Sequence, residues 1–230
     1  MIGAPGFAAG GSSPNWLKTT LGDFRNVVSK DTVAWLAVGG VAAGVSGTVD
    51  HRVTATFAGQ PQFESAFHSG ATIGDARMQM AAAVATLAAG KISGQQKLSL
   101  VGSDLIRAQI VAGGLSFATK FAVQRTRPDG TNYSFPSGHT ATAFATATVL
   151  QRDLGWKWGI PAYTAAAYVG ASRVEDKRHF LSDVAFGAAI GVVAGRTVTI
   201  GRGEKRFAMV PSVTDGGAAV NFTWIGKKQK

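Results

Sequence analysis

Residues 135–150 read FPSGHTATAFATATVL, a Pro-Ser-Gly-His set at the mouth of an alanine-rich apolar run. Pro136 closes a turn, Ser137 is a helix cap, and the run that follows is a helix. A plain helix start accounts for those two residues. It does not account for Gly138, a poor first-turn residue, or for His139, a position that many side chains could fill. The rest of the chain decides what these two are for.

Five other runs of helical character flank this one. Together the six cover roughly residues 31–47, 76–90, 103–122, 138–151, 159–171 and 181–198, with glycines or charges at their ends. Most are shorter or less apolar than the about 20 residues of a simple bilayer span. Ala, Gly, Ser and Thr dominate them, which permits close helix approach in a membrane or in a tight soluble bundle. The expected fold is therefore all-α, a six-helix catalytic domain over residues 31–200. A flexible leader with a short amphipathic segment fills residues 1–30, and residues 48–75 read as short amphipathic helix and loop. Residues 201–230 hold two extended runs about Asp215-Gly216, the signal of a short β-hairpin, and then a basic tail.

Composition narrows the function. The chain has 230 residues, 46% hydrophobic and only 16% charged, which is too apolar for disorder. Its net charge of +10 suits an anionic partner, whether nucleic acid, anionic lipid or a phosphorylated substrate. With no cysteine, disulfides and thiolate metal sites are excluded. The first residues, MIGAPGFAAGGSSPNW, show neither a basic n-region nor a long apolar h-region, so no intact signal peptide is read. If the six runs alternate in direction, fourteen Lys and Arg fall on the side of both termini. Eight fall on the other: Arg52, Arg77, Lys120, Arg125, Arg127, Arg173, Lys177 and Arg178. That bias is the one expected of a membrane protein with both termini in the cytoplasm.

Six of the eight lie in two clusters. KFAVQRTRP begins at Lys120 and SRVEDKRHFLSD at Ser172, with PSGH between them, and alternating helices bring all three pieces to one end of the bundle. Lys120, Arg127 and Arg173 would then converge with His139 and His179 on one pocket. Gathered cations repel one another unless an anion neutralises them. A phosphoryl group fits: Arg127 and Arg173 offer planar forks of donors, and Lys120 offers a compact charge. Gly138 lets the backbone approach closely, and the helix start aims free N–H groups at the anion. Ser137 and Gly138 thus make a phosphate cradle with His139 above it. Asp183 lies four residues after His179, on one face if the last helix begins near His179. A carboxylate on one ring nitrogen leaves the other free to attack phosphorus, while His139 serves the leaving alcohol as an acid. The cations themselves stabilise the transition-state charge, so neither a metal nor a cofactor is expected. Lys177 and Arg178 read as a solvated turn, and His51 and His68 as structural or surface residues.

The ordered set K-x6-RP, PSGH and SR-x5-H-x3-D, present as Lys120–Arg127–Pro128, Pro136–Ser137–Gly138–His139 and Ser172–Arg173–His179–Asp183, resembles the signature of the type 2 phosphatidic acid phosphatase superfamily. The resemblance implies a six-helix core, His179 as nucleophile, Asp183 as its orienter and His139 as general acid. It implies Lys120, Arg127, Ser137, Gly138 and Arg173 as phosphate binders. The spacer from Asp129 to Phe135 is shorter than in many members. The expected activity is metal-independent hydrolysis of a phosphomonoester or pyrophosphate, that of a lipid above all, through a phosphohistidine. The expected place is the inner membrane of a bacterial-type cell, with the site facing the periplasm or exterior. A soluble periplasmic acid phosphatase is the alternative. Vanadate-dependent haloperoxidases resemble the same pocket, and vanadate could occupy it, but those chains are generally much longer. A nucleic-acid binder fits poorly with apolar helices and few exposed aromatics.

Overall fold

The computed structural model describes residues 16–27, 29–200, 206–214 and 217–225. Among the described residues the chain is mostly helical. Its helices are α1 (Trp16–Asn26), α2 (Lys30–Gly47), α3 (Asp50–Phe57), α4 (Pro61–Phe67), α5 (Gly70–Gly74), α6 (Ala76–Ile92), α7 (Gln96–Val123), α8 (Gly138–Leu154), α9 (Trp156–Glu175) and α10 (Leu181–Val198). The six expected runs each hold one of the long helices. The other four among the described residues are α1, in the expected amphipathic segment of the leader, and the three short helices between α2 and α6, where short amphipathic helix and loop was expected. Strands β1 (Arg206–Thr214) and β2 (Gly217–Ile225) pair antiparallel, from Arg206 opposite Ile225 to Thr214 opposite Gly217. The turn expected at Asp215-Gly216 lies outside the described residues, as do residues 1–15 of the leader.

Local chemistry sets the helix starts. The Asp75 carboxylate accepts from the backbone N–H groups of Arg77 and Met78 and opens α6. Ser137 caps α8 as expected, its hydroxyl accepting from Thr140 N at 3.4 Å. Gln124, with φ of 51°, ends α7 in a left-handed turn and sends the chain into the loop that leads to PSGH.

Helix α10 is the hub, packed against α2, α7 and α8. The core it shares with α6, α7 and α8 is built of small and branched residues: Ala83, Val101, Ala108, Val111, Ala145, Val149, Ala194 and Val198. Gly187, Gly191 and Gly195 recur every fourth residue along the α10 face toward α8. A Cβ on Gly187 would lie 2.5 Å from the Ser137 carbonyl oxygen, and one on Gly191 would strike that of Ala141. This close approach seats the start of α10, with Asp183, beside the start of α8, with Ser137 and His139.

Helices α7 and α10 are long and apolar enough to cross a membrane, and α2 with α3 would make a third span if that pair, bent by 65°, counts as one. Val33, Val41 and Val45 of α2 and Phe117 and Phe121 of α7 are exposed.

Candidate active site

Three segments meet at one end of the bundle: the loop from α7 to α8, the first turn of α8, and the loop from α9 to α10. His179 lies just before α10, which begins at Leu181, where the last run was expected to start, so the ring is outside the helix it was to share with Asp183. It is still held against Asp183, with Nδ1 3.6 Å from Oδ2. That is a charge contact, longer than a hydrogen bond, and Nδ1 has no hydrogen-bond partner. The ring is buried, 3% exposed, and its backbone N–H donates to the Arg173 carbonyl. Burial pushes its pKa below the ordinary histidine value. Lys120 and Arg127 add to the shift, while Asp183 pulls the other way.

Asp183 is wholly buried and saturated with donors. Its Oδ2 accepts from Phe180 N at 2.8 Å and from the Ser134 hydroxyl; its Oδ1 accepts from Arg125 Nη1 at 2.8 Å. Its backbone carbonyl takes the N–H of Ser137 at 2.9 Å, which fastens the PSGH turn to α10.

His139, one residue into α8, faces the same centre. Arg173, His179, Asp75 and Arg127 all lie within electrostatic reach of its ring. Lys120 donates to the carbonyls of Tyr133 and Pro136, both at 2.7 Å, bracing the loop beside PSGH, and it lies within electrostatic reach of Arg127 and Asp183. Arg173 and Ser172 stand on the last turn of α9, which runs past the expected end at residue 171. The Arg173 guanidinium bonds Ser172 Oγ and Asp176. Arg127 is held by its backbone, N to Thr131 O at 2.7 Å, while its Nε is buried without a partner. Burial and Arg178 push its pKa down. A Cβ on Gly138 would meet nothing within 4 Å, so the space at the start of α8 is open. An orphaned guanidinium donor and this open space suit an oxyanion.

Two features differ from the solvated turn expected at Lys177 and Arg178. Arg178 pairs with Asp129 at 2.9 Å and joins the two loops. Lys177 has φ of 56°, and its carbonyl accepts from the Asp129 N–H at 3.1 Å. Three residues that position the site were not read as such from the sequence: Arg125, Asp50 and Ser134. Arg125 bonds Ser182 Oγ and Asp183 through one amine and Asp50 Oδ2 through the other, at 2.7, 2.8 and 2.9 Å, and its guanidinium lies 4.1 Å from the Phe180 ring centroid. Asp50, also buried, accepts from the backbone N–H of Ser182 at 2.9 Å.

Residues 102–206 match the PAP2 superfamily. Over 87 residues it is 46% identical to lipid A 1-phosphatase of Porphyromonas gingivalis, a match that takes in 36% of this chain and 20% of that protein. This chain thus spans about a fifth of the curated relative. Among solved structures, Aquifex aeolicus LpxE superposes with a TM-score of 0.53 at 23% identity, over 69% of this chain and 94% of that one. That likeness is one of fold. The transmembrane PAP2 type phosphatidylglycerolphosphate phosphatase of Bacillus subtilis superposes with a TM-score of 0.49 at 21% identity, over 80% and 92%.

Proposed function

We propose that the protein is a metal-independent lipid phosphatase whose six long helices form a membrane-embedded core with the site facing the periplasm or exterior. One observation carries this most: a buried histidine on a buried carboxylate, beside a buried arginine donor with nothing to bind. The family match and the curated relative, a phosphatase of a lipid, support it. The exposed valines and phenylalanines of α2 and α7 support the membrane setting.

In this reading the phosphoryl group sits over the start of α8, held by Arg127, Arg173, Lys120 and the backbone N–H of Gly138, while Ser137, its own N–H given to the Asp183 carbonyl, fixes the turn that presents Gly138. The free Nε2 of His179 attacks phosphorus, and the bond to the leaving alkoxide breaks as His139 gives that oxygen its proton. Asp183 keeps the proton on Nδ1 and balances the positive charge that grows on the ring. His139, now neutral, takes a proton from water. The water oxygen bonds to phosphorus, the phosphorus–nitrogen bond breaks, and inorganic phosphate leaves. The guanidinium and ammonium groups neutralise charge on the equatorial oxygens in both steps.

The test is phosphate release with a chelator present, comparing wild type with His179→Ala on phosphatidate in mixed micelles and on a water-soluble aryl phosphate. The expected result is release from the micellar lipid by the wild type alone. Equal turnover of the aryl ester would favour a broad acid phosphatase, and full activity in the variant would remove the nucleophile assignment.

A further inference from the structure

Beside the phosphoryl site lies a cleft of about 710 Å³ between α3 and the loop after α7. Its polar lining includes Thr54, Arg125, Arg127 and Lys177, and its apolar lining includes Ala55, Ala58, Pro128 and Phe180. Among the described residues, no carboxylate lines it. Arg125 is already matched by Asp50 and Asp183. Arg127 and Lys177 enter no ion pair among the described residues.

Two polar atoms of this lining are buried without a hydrogen-bond partner, Thr54 Oγ1 and Arg127 Nε. Such groups cost free energy unless a ligand satisfies them. Arg127 is common to the cleft and to the proposed phosphoryl site, so a molecule bound in one reaches the other. A single phosphoryl group over α8 leaves Lys177 and Thr54 unused. The alanines, the proline and the phenylalanine ring between them offer a surface for carbon rather than for charge.

We propose that the cleft is a subsite for a second anionic group of the substrate, so that the preferred lipid carries a phosphate or carboxylate beyond the phosphoryl group that is cleaved. Lys177 supplies the charge, Thr54 a hydroxyl donor, and the apolar wall takes the linking carbons. This rests on the phosphatase reading and adds to it the character of the substrate.

The test compares two lipids in micelles. Phosphatidate has only the scissile monoester; phosphatidylglycerophosphate has a phosphodiester behind its terminal monoester. Thr54→Val and Lys177→Gln each raise KM for the second lipid by about tenfold, the worth of one charge-assisted hydrogen bond, and leave its kcat within about twofold. Neither changes KM for phosphatidate. Loss on both lipids alike, or on neither, overturns the subsite. If the variants weaken phosphatidate turnover only when phosphatidylglycerol is mixed into the micelle, the cleft holds a separate lipid headgroup, and the same-molecule claim fails. No release by the wild type from either lipid overturns the phosphatase reading itself, and the subsite falls with it.

Discussion

His179 is pushed below the ordinary histidine pKa by burial and by the cations Lys120 and Arg127, and the consequence has a sign. A nucleophilic imidazole must be neutral, so a lowered pKa keeps His179 competent as pH falls. The acid limb of kcat/KM should therefore lie below the about 6.5 of a free histidine. His139 must be protonated to act, and Arg173 and Arg127 lie within electrostatic reach of it. A bound phosphoryl anion offsets these cations and favours the protonated ring. The basic limb of kcat is thus expected at higher pH than that of kcat/KM, read from full pH profiles of both constants; coincident limbs would contradict this. That these two residues lie at one end of the bundle was legible because the motifs set them at the ends of helical runs. Ser134 was not, since a serine one place before Phe135 carries no pattern until the fold brings it to Asp183, 49 positions on.

Between elements, the bend from α2 to α3 is tied to the start of α10 by Asp50 and Arg125. Removing the cation with Arg125→Gln leaves the carboxylates of Asp50 and Asp183 facing each other in a buried site. The expected loss is about 3 kcal/mol of stability, seen as a lowered Tm in detergent, with kcat falling because Asp183 is no longer held on His179. An unchanged Tm would show that the pair carries little. Gly187 makes a second contact at this scale. Gly187→Ala should push α10 from the Ser137 carbonyl, at about 1–3 kcal/mol, and lower kcat more than a matching change at exposed Gly113, beside which a Cβ meets nothing. Helix runs were readable from apolar stretches ended by glycine. Residues 48–75 were readable as short amphipathic helix and loop, but not their division into three helices, because that segment mixes polar and aromatic residues without a sustained period. Asp50 was hidden there too, 132 positions from the Ser182 backbone it holds.

At the scale of the molecule, helix direction puts the cations of the site at one end of the bundle and the α8–α9 connection, with Arg152 and Lys157, at the other. Buried Arg107 in the middle of α7 fits an embedded bundle: it faces inward onto Asp104, Asp23 and the Val198 carbonyl, not outward to lipid. The chain has no cysteine, so single ones can report orientation. Asp129→Cys should react with an impermeant maleimide on intact cells, and Lys157→Cys only after permeabilisation. The reverse pattern would turn the topology over. Charge bias along the sequence pointed to this arrangement, whereas the 65° bend between α2 and α3 has no sequence signature beyond a short polar break.

The claim on which the rest depends is that His179 takes the phosphoryl group. Rapid quench in alkali during turnover of lipid labelled at the scissile phosphate, followed by peptide mapping, tests it most directly. The account predicts an alkali-stable, acid-labile label on the peptide containing His179, absent from His179→Ala and prolonged in His139→Ala, where water is no longer activated. Turnover with no label on that peptide, or with label on another residue, would contradict it.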